Sequence, residues 1–261
     1  MVRFVSLSSG SNGNCYFIEC GGKALLIDVG IGNRTIKKRL SELDFSIESV
    51  MAVLVTHDHF DHIKSLGTFT DKWKKPVYAT KILHNAFRRN FCTRGLLLGC
   101  ERFLEPEASV EIGPFSVTPF VVPHDATQTL GYLIKAEDTS IAVMTDVGDL
   151  TPETVHYASL ASNLVIESNY DLDMLMRGSY PPELKGRIIT GCGHLSNEQT
   201  SSLLRQAYCG IWKNVFLCHL SANNNTPQIA YDTAKETLRS FGCEASLHCL
   251  PRSSASEVFY L

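Results

Sequence analysis

The chain has 261 residues, of which 44% are hydrophobic, 20% charged and 9% aromatic, a balance that supports a large buried core and excludes a disordered chain. Its formal charge of −3 at pH 7 speaks against a protein that coats nucleic acid over its whole surface. Nine cysteines, odd in number and without a CxxC pair, fit the reduced thiols of a cytoplasmic protein better than a disulfide framework, and neither a signal-like N-terminus nor the roughly 20 apolar residues of a membrane span is evident.

In chain order, VRFVSL (2–7) predicts a strand, followed by a Gly/Asn/Ser-rich loop. NCYFIEC, Gly21-Gly22 and KALLIDVG read as a hairpin whose second strand ends at Asp28. Ile36, Leu40 and Leu43 make an apolar stripe opposite Arg34, Lys37 and Lys38, which predicts a surface helix over 33–43. VMAVLVT (50–56) is short, continuous and valine-rich, the pattern of a strand buried on both faces, and it runs straight into His57. After a mixed stretch come strands at 115–122, 130–136 and 140–145. Helices at 151–161, 196–208 and 227–240 then alternate with strands at 163–167, 214–218 and 245–250. No linker or repeat divides the chain, so a single domain over 1–261 is expected, with two sheets covered by helices.

Chemistry-bearing residues recur where strands stop, at Asp28, His57, Asp146 and His219. The densest group is His57, His59, Asp61 and His62, four potential metal ligands within six residues. Leaving a strand in extended form, the chain points His57 and His59 to one side. A helix starting near Asp61 would turn that carboxylate and His62 toward a second position, so the loop can hold two cations about 3.5–4 Å apart. A solvated polar turn is the bland alternative, disfavoured by the buried strand before it. His124 alone reads as structural, and Asp146 alone as a helix cap.

HxHxDH after an apolar strand, with Asp28 upstream and His124, Asp146 and His219 downstream, resembles the metallo-beta-lactamase fold over the whole chain. SLSSGSNGNC (6–15), ESNYD (167–171), SYPPELKGRI and GHLSN (179–197) and HLSANNNTP (219–227) narrow the resemblance to the WalJ/YycJ-type branch of bacterial, metal-dependent 5′-to-3′ DNA exonucleases. The resemblance implies a four-layer αββα sandwich. It also implies one cation on His57, His59 and His124, another on Asp61, His62 and His219, and Asp146 bridging them. Asp28 would support a ligating histidine. Imidazole and carboxylate donors suit zinc or manganese, between which the sequence does not choose. The branch usually has histidine at Tyr170 and a small polar residue at Phe60, so no role is carried to Tyr170.

His194, like His219, is followed by Leu-Ser. It precedes a helix near Ser196 and has three open readings: phosphate binder or proton donor to the leaving oxygen, metal ligand, or structural residue. His84, His156 and His248 lie outside every motif, and Cys192 and Cys218 are poor candidates beside a complete imidazole and carboxylate set. No GxSxG elbow appears, so a water activated between two cations, with Asp61, Asp146 and His194 as catalytic residues, is the expected nucleophile of a phosphodiesterase acting on DNA. A thioesterase or lactonase of the same fold and a regulatory module without turnover are the rivals.

The charge is unevenly placed. Residues 63–100 carry eight basic residues against Asp71 alone, a local +7 that leaves −10 on the rest. A solvated face is the ordinary meaning of such a run. Beside a phosphodiesterase centre, Lys81, Arg88 and Arg89, with His84 at helical spacing and Phe87 and Phe91 among them, equally suit a track for a phosphate backbone.

Overall fold

Apolar runs become strands, and amphipathic stretches become helices. In the computed structural model, which describes residues 1–261, the chain begins with β1 (Val2–Ser8), β2 (Cys15–Cys20), β3 (Lys23–Ile27), α1 (Asn33–Glu42) and β4 (Val50–Leu54). Then come α2 (Phe60–Ile63), α3 (Leu66–Trp73), β5 (Val77–Thr80), α4 (Lys81–Phe87), β6 (Glu101–Leu104), β7 (Val110–Ile112), β8 (Phe115–Val122), β9 (Thr129–Ala136) and β10 (Thr139–Met144). The remainder is α5 (Pro152–Ser159), β11 (Asn163–Glu167), α6 (Leu172–Arg177), α7 (Pro182–Ile189), α8 (Asn197–Ala207), β12 (Asn214–Cys218), α9 (Pro227–Ser240), β13 (Ser246–Cys249) and β14 (Phe259–Tyr260).

One seven-stranded sheet runs β14-β1-β2-β3-β4-β5-β6, the other β13-β12-β11-β10-β9-β8-β7. Side-chain alternation in β11 and β12 explains the layering. Val165, Phe216 and Cys218 face the core between the sheets with Phe4, Ile18, Leu25 and Leu54, while Leu164, Ile166, Val215 and Leu217 face outward. Phe4 and Phe216 join the sheets, with ring centroids 5.0 Å apart. On the outer side of the second sheet, Leu203 and Leu204 of α8 and Ala230, Ala234 and Leu238 of α9 cover the outward set. Ile36, Leu40, Phe69 and Phe87 bring α1, α3 and α4 against the first sheet. The architecture is therefore the expected αββα sandwich.

Strand direction positions the site. Within the first sheet β3, β4 and β5 are parallel; within the second, β10, β11 and β12 are parallel, and β8 reaches the same direction through two antiparallel pairings with β9. Their carboxyl ends release Asp28, His57, Lys81, His124, Asp146, Glu167 and His219, the sheet edge at which open α/β folds place ligands. Asp28, Asp146 and His219 adopt left-handed φ of 62°, 55° and 53°, an uncommon state for non-glycine residues that turns the chain abruptly at the edge.

Between residues 60 and 112 the chain forms six short elements where the sequence reads only as mixed, and α6, α7 and β14 likewise escape the periodicity. The strand expected to reach Thr56 ends its ladder at Leu54, although Val55 still donates to the Tyr78 carbonyl. No helix is long and apolar enough to cross a membrane.

Candidate metal centre

The short turn from β4 into α2 carries His57, His59, Asp61 and His62. His59 is the N-cap of α2, so Asp61 and His62 project from its first turn. Asp58 points elsewhere, accepting from the Thr127 amide and hydroxyl and tying this loop to the one that bears His124. Donor atoms of His57, His59 and His124 lie within 4.8 Å of one another, as do those of Asp61, His62 and His219. Asp146 lies between the two groups: one oxygen is 3.1 Å from His62 Nε2, the other 3.5 Å from His219 Nδ1 and 3.9 Å from His124 Nε2.

Each imidazole is held through one nitrogen and leaves the other toward the group. His62 Nδ1 donates to Asp28 Oδ2 at 2.7 Å, His124 Nδ1 to the Gly193 carbonyl at 2.7 Å, and His219 Nδ1 to Glu167 Oε1 at 2.9 Å. His59 Nε2 donates to the Asp125 carbonyl at 3.2 Å. The Thr56 hydroxyl gives its proton to Asp28 and so accepts from His57 Nδ1 at 3.0 Å. The nitrogens left over are the Nε2 atoms of His57, His62, His124 and His219 and Nδ1 of His59. Two of them, on His57 and His219, are buried without any hydrogen-bond partner. A buried ring nitrogen without a partner is costly unless something binds it, and this set of imidazoles and carboxylates fits a divalent cation.

The charge distribution points the same way. Burial opposes a charge on His62, but Asp146, Asp28 and Asp61 outweigh it and hold the imidazole well above its usual pKa. Burial likewise opposes charge on His219, which Asp146, Asp61 and Glu167 raise to about 10. Asp146 is buried too, yet His219 and His62 keep it well below the usual carboxylate range. In contrast, burial pushes His57 well below its usual value and lowers His124. The Asp61, His62 and His219 side is thus the electrostatically hungrier half for positive charge.

Glu167, which contacts this group, is given no role by the sequence patterns. It ends β11, as His219 follows β12, and strand-end position was the available signal. Fully buried, it accepts from His219 and His194 with Oε1 and from the Val147 and Leu195 amides with Oε2. Asn14 escapes the patterns too; its amide nitrogen lies 2.9 Å from His62 Nε2 and 3.3 Å from Asp61 Oδ2.

His194 opens onto the cleft, and its donor nitrogen also lies within 4.8 Å of donor atoms of Asp146, Glu167 and His219. Its Nδ1 is tied to Glu167 at 2.8 Å, and 23% of its side chain remains exposed. It lines a cavity of about 190 Å³ with Ser11, Asn169, Tyr180, Arg187 and Ser221. Although burial opposes protonation, Glu167 raises its pKa.

Other expected contacts fare unevenly. Ser196 commits its hydroxyl to the Gln199 amide and its own amide to the Gln199 side chain in a capping box, so these groups are not free for a phosphate. Lys81, Arg88 and Arg89 are exposed, with Arg88 paired to Glu101 at 3.2 Å. His84 drops out of the basic face: it is buried, its Nε2 bonded to the Arg102 carbonyl. Cys218 is buried, which pushes its thiol well above the usual value and disfavours a thiolate ligand. Tyr170 is buried, its backbone bridged to Ser196.

Residues 9–148 match the metallo-beta-lactamase superfamily. The chain is 31% identical to a Bacillus anthracis protein named exodeoxyribonuclease YycJ, over 92% of this chain and 90% of that one. It is 30% identical to exodeoxyribonuclease WalJ of Streptococcus pneumoniae, over 88% and 86% respectively. Among solved structures, zinc-bound PqqB from Methylobacterium extorquens aligns over the full length of both chains with a TM-score of 0.77 at 16% identity, a likeness of fold alone.

Proposed function

The chain belongs to the metallo-beta-lactamase superfamily, and on that premise we propose that it is a two-cation phosphodiesterase, a cytoplasmic 5′-to-3′ DNA exonuclease formed by one domain over residues 1–261. The observation that carries this reading is the meeting of two donor groups at Asp146. His57, His59 and His124 would hold one cation and Asp61, His62 and His219 the other, with Asp146 shared and zinc or manganese as the metal. Bound there, the cations supply Lewis-acid activation of water and neutralise phosphodiester charge.

The protein's own groups do the rest. Asp28, Glu167 and the Gly193 and Asp125 carbonyls fix each imidazole's tautomer and aim. Glu167 keeps a proton on His194 Nδ1 and stabilises the imidazolium, so the opposite ring nitrogen faces the cleft as a proton source for the leaving oxygen. Buried carboxylates would repel a phosphodiester, so without compensating positive charge the cleft is set against its substrate.

The test is incubation of manganese-loaded protein with single-stranded DNA labelled at either end, beside a chromogenic thioester. Early release of the 5′ label as a short product, with the 3′-labelled strand shortening progressively and the thioester intact, is expected. Thioester hydrolysis with intact DNA would replace the reading.

A further inference from the structure

Resting on the reading of a DNA phosphodiesterase, we propose that Phe60 and Phe91 form a shelf at the mouth of the metal centre on which an unpaired base of the substrate stacks, favouring single-stranded or frayed DNA. Phe60 lies between His59 and Asp61, in the turn that carries the metal-site side chains, yet its own side chain is 51% exposed. Its ring lies against that of Phe91, with centroids 5.9 Å apart and planes 20° from parallel, and Phe91 is itself 70% exposed. A stacked pair open to water offers a further π face, and every base carries one to match.

The shelf is held in place. The Cys92 amide donates to Asn90 Oδ1 at 2.9 Å, and the buried Thr93 hydroxyl donates to the Phe87 carbonyl at 2.6 Å, fixing the turn that presents Phe91. At Gly67 in α3, a Cβ would come within 2.2 Å of the Cys92 carbonyl, so this close approach fastens the turn to the helix just beyond the metal loop. An aromatic already positioned loses little freedom on binding.

Charge selects the occupant. Lys64 Nζ sits 5.6 Å from the Phe60 centroid, and exposed Arg89 and Arg94 flank Phe91 in a segment of net +7. A single strand presents bases to the rings and phosphates to the cations together.

Equilibrium binding to metal-loaded protein of a phosphorothioate single strand carrying 2-aminopurine near its 5′ end, and of its blunt duplex, tests this, because stacking quenches 2-aminopurine. Wild type should quench the probe and favour the single strand. Phe91→Ala should weaken single-strand binding about tenfold and abolish quenching, with metal content and duplex affinity unchanged. Phe91→Trp should restore both, and Leu98→Ala, which removes another exposed apolar side chain from the same segment, should alter neither. Equal affinity and quenching in wild type and Phe91→Ala would overturn the shelf while the phosphodiesterase reading stood; wild type that neither binds nor cleaves DNA would overturn both.

Discussion

At the strand ends, Asp28, His57, Asp146, Glu167 and His219 are all buried, and each imidazole is pinned through one nitrogen. In the arm from Lys64 to β6, Lys64, Arg89, Phe91 and Arg94 stand in solvent beside Phe60, on turns held by the Asn90 and Thr93 side chains. Fixed groups at the rim suit cation binding and chemistry, where small displacements are costly. Exposed groups on the arm suit a long charged ligand. Rim variants should therefore change metal content and turnover, and arm variants DNA affinity alone.

The sharpest break is Asp146→Ala, which removes the carboxylate shared by both donor groups. Turnover should fall roughly a thousandfold or more, the size of several kcal/mol of lost charge stabilisation, measured as initial rates of DNA hydrolysis. Glu167→Gln keeps the shape but removes the charge behind His194 and His219. It should lower kcat about a hundredfold or more with little change in KM. Asp28→Asn should weaken the cation held near His62 by about 10- to 100-fold and the one on His57, which Asp28 reaches only through Thr56, by less, as read by metal titration.

On the arm, Arg88→Glu with Arg89→Glu should weaken DNA binding and flatten its salt dependence, the slope falling by roughly one unit for every phosphate left without its cationic partner, while metal content stays unchanged. Arg89 should account for more of it, since Arg88 already pairs with Glu101. An unchanged salt slope would move the track elsewhere. The smallest effect belongs to His84, whose pKa is lowered by burial against the opposing Arg102 carbonyl. The folded chain then binds fewer protons than the unfolded one in mild acid. Its contribution is full above about pH 6.5 and is lost as pH falls through the depressed folded value. Denaturant titrations of His84→Phe should show a flatter acid limb.

The same contrast governs what could be read from residues alone. Continuous apolar runs such as VMAVLVT and NVFLC are buried on both faces, so β4 and β12 and the residues that follow them were legible. Glu167 ends β11 by the same rule, but a glutamate at a strand end carries no local signal that separates a buried acceptor from solvated surface. Between 60 and 112 the elements are three to eight residues long, too short for a period to emerge, and β6 is a half-exposed edge strand. His84 shows the cost: at helical spacing with Lys81 and Arg88 it reads as part of a basic face, yet packing between Phe87 and Phe103 buries it. Ring stacking between Phe60 and Phe91 depends on a tertiary approach at Gly67 that no local pattern encodes.

The most direct test of a two-cation centre is the number of metal ions bound per chain, measured by inductively coupled plasma mass spectrometry after saturation with manganese or zinc and removal of excess. Two equivalents are predicted for wild type and at most one for Asp146→Ala. Saturation of the wild-type chain at a single equivalent would contradict it.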